Sequence, residues 1–190
     1  MTITIKEVTK EELQEYAKIP MWHTVTTILK LEKIKGGLGG IIFEEIEVEP
    51  YIKDLGKEEK PLIWEKNFDI SNWGFFIAYD DDKPVGGACL VYRTEGVNML
   101  NSREDLSVLW DIRVHPDYKG RGIGTMLLSA SKDWSKTRNC KQLKIECQNN
   151  NVPACRFYAK NGAILVSIDE YAYYEDNDEE VQLIWYLNIN

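Results

Sequence analysis

The sequence predicts a mixed α/β fold built around one sheet. Three observations carry this expectation. Residues 74–79, Gly-Phe-Phe-Ile-Ala-Tyr, run into the turn Asp80-Asp81-Asp82-Lys83-Pro84 and return over residues 85–92, which reads as a β-hairpin. Leu106, Val108, Trp110, Ile112 and Val114 alternate with other residues, as in a long strand with one buried face. A glycine-rich turn and an amphipathic helix follow that strand, and then another strand. Hairpins followed by strand–helix–strand units make a mixed sheet.

The other elements follow in order. Residues 3–8 read as a first strand. Thr9 and Glu12 match a capping box, so a helix is expected to start at Lys10. Residues 21–34 place apolar side chains at 22, 25, 28, 29 and 31, which is helical spacing. The run Thr24-Val25-Thr26-Thr27 weakens that reading, because β-branched side chains disfavour helices. Residues 35–40 are a glycine-rich loop, and no P-loop Lys-Ser/Thr follows it. Residues 41–48 read as a strand. Residues 122–138 read as a helix with Ile123, Met126, Leu127, Ala130 and Trp134 on one stripe. A strand over 142–147, a short helix over 153–160 stopped at Gly162, and strands over 163–168 and 181–187 complete the chain.

Bulk properties bound the function. At 190 residues, one domain spanning 1–190 is expected, since a domain commonly holds roughly 100–200 residues. No apolar run approaches the roughly 18–20 residues of a membrane helix, and residues 1–16 lack the order of a secretory signal. A cytoplasmic protein without membrane association is expected. The formal net charge of −8 disfavours nucleic acid and favours a cationic small molecule as partner. Cys89, Cys140, Cys147 and Cys155 form no CxxC pair, and with two histidines there is no zinc spacing. Free thiols and no metal are expected. The Asp80–Asp82 run lacks the closing Glu of a calcium loop and reads as a solvated turn.

The turn after the long strand carries the chemistry. His115-Pro116-Asp117-Tyr118 leads into Lys119-Gly120-Arg121-Gly122-Ile123-Gly124-Thr125. Glycines let the backbone curl and let a bulky group come close. The first N–H groups of the helix converge at its positive end. Lys119 and Arg121 add positive charge to an otherwise acidic chain. These features make an anion site suited to phosphate.

This segment resembles the acetyl-CoA loop of the GNAT superfamily, Arg/Gln-x-x-Gly-x-Gly/Ala, with Lys119 in place of Arg or Gln. A second block, Ile145-x-Cys147-x-x-x-Asn151-x-x-Ala154-x-x-Phe157-Tyr158-x-Lys160-x-Gly162-Ala163, is similar to the downstream motif of the same family. Together they cover about a third of the chain. Residues 71–76 (Ser-Asn-Trp-Gly-Phe-Phe), residues 96–100, residues 109–114, residues 151–158 and Tyr171-Ala172-Tyr173 resemble the streptothricin acetyltransferases, which acetylate a β-lysine amine of a cationic antibiotic. The resemblance implies a GNAT-like, mostly antiparallel central sheet flanked by helices and splayed at the acetyl-CoA-binding strand. It implies acetyl-CoA as cosubstrate and an enzyme working as a monomer or homodimer.

Residue roles follow from the same resemblance. Backbone groups of Ile112, Arg113 and Val114 would hold the pantetheine arm and thioester carbonyl, and Lys119 to Thr125 the diphosphate. Lys160 belongs to the same binding set. Asn151 would bond the coenzyme arm or, equally, cap a helix. Tyr158 matches the family's general acid. Asp111 and Glu146, each out of phase with its apolar neighbours, are the candidate bases, with a water chain as the alternative. Trp73, Trp110, Tyr171, Tyr173 and Glu175 are candidate acceptor contacts, with packing of the core as the favoured alternative for Trp73, Trp110 and Tyr79. The acidic stretch 170–180 with its tyrosines reads as a wall for a polycation or as a solvated loop. The resemblance implies a streptothricin-type amine as the acceptor, with a polyamine or protein amine as the second enzyme reading. A non-catalytic acetyl-CoA-binding regulatory domain is the third.

Overall fold

The computed structural model describes residues 2–57, 60–173 and 180–189. Among the described residues, nine strands are observed: β1 (Ile3–Val8), β2 (Trp22–Lys33), β3 (Ile41–Asp54), β4 (Gly74–Asp80), β5 (Lys83–Val91), β6 (Leu106–Val114), β7 (Gln142–Gln148), β8 (Ile164–Asp169) and β9 (Gln182–Asn188). Four α-helices accompany them: α1 (Leu13–Tyr16), α2 (Trp64–Asn67), α3 (Ile123–Thr137) and α4 (Val152–Lys160). Seven strands form one sheet in the order β1-β4-β5-β6-β7-β9-β8, and β2 and β3 form a two-stranded ribbon. The β1–β4, β4–β5 and β5–β6 pairs are antiparallel, and β6–β7 is parallel. This is the mixed, mostly antiparallel sheet that the sequence predicts.

The chain divides into two compact units. The first holds Asp54–Ile145, the N-terminal stretch to Trp22 and the C-terminal stretch from Tyr186. The second holds His23–Lys53 and Glu146–Trp185.

In the first unit, the Thr9–Glu12 capping box is present and opens a 3-10 turn, Lys10–Glu12, that leads into α1. Gly87 lies under α1: a Cβ there would sit 2.5 Å from the Tyr16 ring, so only glycine admits Tyr16. Tyr16, Trp64, Trp73 and Phe75 anchor the core, with Trp110 packed against it. Each fully buried large side chain contributes roughly 1.5–3 kcal/mol. Helix α3 packs across β4, β5 and β6. Its buried stripe is Ile123, Leu127, Leu128, Ser131, Trp134 and Ser135, whereas Met126 is exposed. The stripe differs from the expected one because Ser131 and Ser135 satisfy their hydroxyls on helix carbonyls, and Ser135 also pairs with Ser107 at 2.7 Å. Those bonds remove the cost of burying them.

In the second unit, residues 22–33 form a strand where the apolar spacing had suggested a helix. The β-branched run 24–27 prevails, and the following glycines turn the chain so that β3 can pair with β2. Strand β3 also runs six residues further than expected, to Asp54. Asn149 fastens this ribbon by exchanging hydrogen bonds with the backbone of Leu29 at 3.0 and 3.1 Å.

Candidate functional site

The first unit presents the anion turn. Strand β6 ends at Val114, His115 caps a 3-10 turn, Pro116–Tyr118, and α3 opens at Ile123. Gly120 and Gly122 adopt φ of +77° and +82°, and a Cβ at either position would meet nothing within 4 Å. Glycine is therefore required there by conformation and not by internal crowding. The start of α3 has no side-chain cap and no acidic residue in its first turn. Its leading N–H groups, those of Ile123, Gly124 and Thr125, face outward with the positive end of the helix dipole.

The cations around the turn are fixed by neighbours. Arg121 donates to the Asp117 carbonyl at 2.9 Å, and its guanidinium lies 4.9 Å from the Tyr118 ring centre. Tyr118 donates to Asp80 at 3.0 Å, which ties the turn to the hairpin. Lys119 donates to the Trp22 carbonyl at 3.2 Å, and partial burial pushes its pKa down. The expected solvated Asp80–Asp82 turn thus has a second use: Asp80 is a strut for the anion loop.

Strand β6 is bulged where a splay was expected. The β5 register shifts between Cys89 and Leu90, which leaves Trp110 as the extra residue of β6. The parallel register with β7 covers Leu106 to Leu109 only. The bulge also inverts the alternation. Val91, Cys89 and Gly87 of β5 share one face, and they oppose Val108, Asp111 and Arg113. Asp111 and Arg113 therefore join Val108 on the face toward Tyr16, while Ile112 and Val114 are only partly buried.

This placement corrects the candidate base Asp111. Its side chain has no exposed surface and forms a two-point ion pair with Arg113, whose Nε donates at 2.9 Å. Tyr16 donates to Asp111 Oδ1 at 2.5 Å. Arg113 also donates to the Ile19 carbonyl at 3.2 Å. A carboxylate engaged in this way anchors the bulged strand and is not placed to take a proton from a substrate. Burial, and then the Asp111 charge, hold the Tyr16 phenol well above the ordinary tyrosine range. Nothing in the sequence singled out Tyr16; a closer reading of Gly86-Gly87 as space for a large neighbour could have done so. Beside Arg113 a cavity of about 400 Å³ is lined mainly by Ile19, Met21, Trp22, Pro61 and Leu62.

One acceptor candidate is corrected likewise. Trp73 is buried, its indole N–H donates to Thr94 at 3.0 Å, and its ring packs among Trp64, Phe68, Phe75 and Trp110. It is a core residue. Trp110 stands half-buried at the edge of the same cluster, 5.5 Å from both Trp73 and Phe68.

The second unit carries the remaining candidates. Asn151 caps α4, its side-chain oxygen accepting from the Ala154 amide at 3.3 Å, with Pro153 in the first turn. Tyr158 is buried on α4 against Phe157 and Trp185, with ring centres at 5.4 and 6.5 Å. Lys160 is exposed at the end of α4. Glu146 and Tyr173 are brought together: Tyr173 donates to Glu146 Oε1 at 2.6 Å. Burial, and then the Glu146 charge, push the Tyr173 phenol far up. Tyr171 is exposed. Glu175 lies outside the described residues.

The matching family model is the acetyltransferase (GNAT) family, over residues 41–163. The chain belongs to that family. Streptothricin acetyltransferase A of Bacillus subtilis is 26% identical over 161 residues, covering 71% of this chain and 93% of that protein. A streptothricin acetyltransferase of Escherichia coli is 34% identical over 110 residues, covering 56% and 63%. A Bacillus anthracis protein provisionally assigned as a streptothricin acetyltransferase, solved with acetyl coenzyme A, matches at a TM-score of 0.78 and 26% identity, covering 100% of this chain and 99% of that one. This GNAT chain is an acetyl-CoA-dependent N-acetyltransferase. The open glycine cradle and uncapped start of α3 fit the diphosphate of that cosubstrate. Among the described residues, no group of three or more His, Cys, Asp or Glu could hold a metal, and no helix is long and apolar enough to cross a membrane.

Proposed function

We propose that this acetyltransferase modifies a primary amine of a cationic small molecule, and that the acceptor is the β-lysine amine of a streptothricin. The observation that carries this reading is the full-length likeness to the Bacillus anthracis protein at 26% identity. The acidic character of the chain supports it, since a negative surface draws in a polycation.

When bound, acetyl-CoA supplies the acetyl group as a thioester. The protein's residues bind the cosubstrate, receive the acceptor and move the protons. The Gly120–Thr125 turn, with Lys119 and Arg121, holds the diphosphate. Backbone groups of Ile112 to Val114 hold the pantetheine arm and stabilise negative charge on the thioester oxygen. Asn151, its oxygen committed to the helix cap, offers its amide nitrogen to that arm, and Lys160 belongs to the same coenzyme-binding set. A lysine-type ammonium has a pKa of about 10.4 and must lose a proton before attack. Glu146 takes that proton, and Tyr173 fixes the carboxylate that does so. Tyr158 protonates the departing thiolate. Trp110 and Tyr171 provide aromatic surface for the acceptor.

The test is thiol release and product mass with streptothricin, spermidine and a basic peptide as acceptors. Fastest turnover of streptothricin is expected. Faster turnover of spermidine or the peptide contradicts the assignment, and tight coenzyme binding with no thiol release for any amine supports a binding-only role. Tyr158→Phe should lower kcat by about 100-fold or more with acetyl-CoA affinity unchanged, as loss of a general acid does. An unchanged kcat removes that role from Tyr158.

A further inference from the structure

Cys147 on β7 and Cys155 on α4 face each other with their sulfurs 3.5 Å apart, both buried. The mechanism above uses neither. The Trp185 indole N–H donates to Cys147 Sγ at 3.2 Å, and Cys155 Sγ lies 3.8 Å from the Gln148 carbonyl. Each sulfur is thus held in place by a second contact. We propose that Cys147 and Cys155 form an oxidisable dithiol, and that closing it to a disulfide shuts off acetyl transfer.

The chemistry balances with a peroxide as oxidant. Cys155 sulfur attacks a peroxide oxygen, the O–O bond breaks, and a sulfenic acid forms as one water leaves. Cys147 sulfur then attacks Cys155 sulfur, the S–O bond breaks, and a second water leaves with the Cys147 proton. Two thiols lose two electrons and the peroxide gains them. The hydrogen bond from Cys147 lowers the pKa of the Cys155 thiol and so favours the attacking thiolate.

The geometry links the bond to the proposed site. A disulfide is about 2.05 Å long, so the sulfurs must approach by roughly 1.5 Å. Cys147 must then move away from the Trp185 N–H, or the two elements must shift. Val152, Cys155 and Tyr158 are the buried residues of α4, and Tyr158 follows Cys155 by one turn. The helix is nine residues long and starts at the Asn151 cap. Pulling Cys155 toward β7 therefore displaces both Asn151 and Tyr158. Cys89 and Cys140 also lie buried, and they provide the controls.

The experiment titrates the full chain with hydrogen peroxide, maps peptides by mass spectrometry, and follows acetyl transfer to whichever amine the acceptor panel supports. The disulfide is expected between Cys147 and Cys155, reversible by dithiothreitol. Transfer should fall by about tenfold or more, as small misplacements of catalytic groups do. Cys155→Ala and, as a second variant, Cys147→Ala should keep their activity under the same peroxide. A chain with Cys89→Ala and Cys140→Ala should respond as the parent does. Absence of the cross-linked peptide overturns the dithiol. A cross-link with unchanged transfer, or equal loss in parent and Cys155→Ala, overturns the switch. The effect on transfer rests on the proposed role of Tyr158, whereas the cross-link is read without it. Failure of streptothricin as acceptor leaves both readouts intact.

Discussion

Asp111 and Glu146 look alike in sequence, yet their surroundings divide their roles. Each is a carboxylate on a sheet strand, flanked by apolar residues, and each was a candidate base. Asp111 sits on a bulged strand, fully buried, with Arg113 and Tyr16 directed at its two oxygens. Glu146 is half-buried and is held at one oxygen by Tyr173. A buried carboxylate held at both oxygens is closed to a substrate amine. One that stays partly exposed, with Tyr173 at one oxygen, can still be reached by a substrate amine. The lesson is that strand phase finds acidic residues, and only partners tell an anchor from a base.

Three perturbations would break or sharpen this contrast. The largest effect belongs to Asp111→Ala, which leaves the Arg113 charge buried and unpaired. It should destabilise the fold by about 3–5 kcal/mol in urea unfolding; a loss of activity with full stability would return Asp111 to the reaction. Tyr16→Phe removes one donor to the same carboxylate and should cost about 1.5–3 kcal/mol, the range for a hydrogen bond to a charged group. Tyr173→Phe should leave stability nearly unchanged and lower the rate, with a loss of about tenfold if the donated bond is worth about 1.4 kcal/mol in the transition state. An equal loss of stability in Tyr173→Phe would erase the distinction between the two tyrosine–carboxylate pairs.

The smallest effect is in alkaline solution. Folded Tyr16 and Tyr173 both titrate above the ordinary value of 10.0. Between the unfolded and folded pKa values the native state binds more protons than the unfolded one, so stability falls as pH rises. Below pH 10.0 both states keep the phenol proton, and this contribution is fully present. Stability should therefore be insensitive to these groups up to about pH 10 and decline beyond it. Unfolding midpoints across that range should decline less steeply in Tyr16→Phe; equal slopes would show that Tyr16 does not contribute.

Features set by local chemistry were legible in the sequence. The Thr9–Glu12 capping box, the hairpin around Asp80–Asp82 and the glycine turn before α3 each depend on residues within a few positions of one another. The Asn151 cap did as well, and the structure uses its side-chain oxygen for the helix. Strand β2 was less legible because its apolar positions happen to fall at helical spacing, and its pairing with β3 is needed to settle the matter. The face of Asp111 was illegible because one extra residue at Trp110 reverses strand phase, and no residue type announces that bulge. Trp73 carries no label that separates a core ring from a substrate wall; its Thr94 bond and its aromatic neighbours do. The Glu146–Tyr173 pair spans 27 positions and emerges only from the fold.

The most direct test of the division between the two carboxylates is kcat of Glu146→Gln at saturating acetyl-CoA, with its unfolding midpoint taken on the same sample. A loss of about 100-fold or more is expected, the range for removing a general base, with a midpoint close to that of the parent chain. An unchanged kcat in the folded variant would contradict it and leave proton removal to another group.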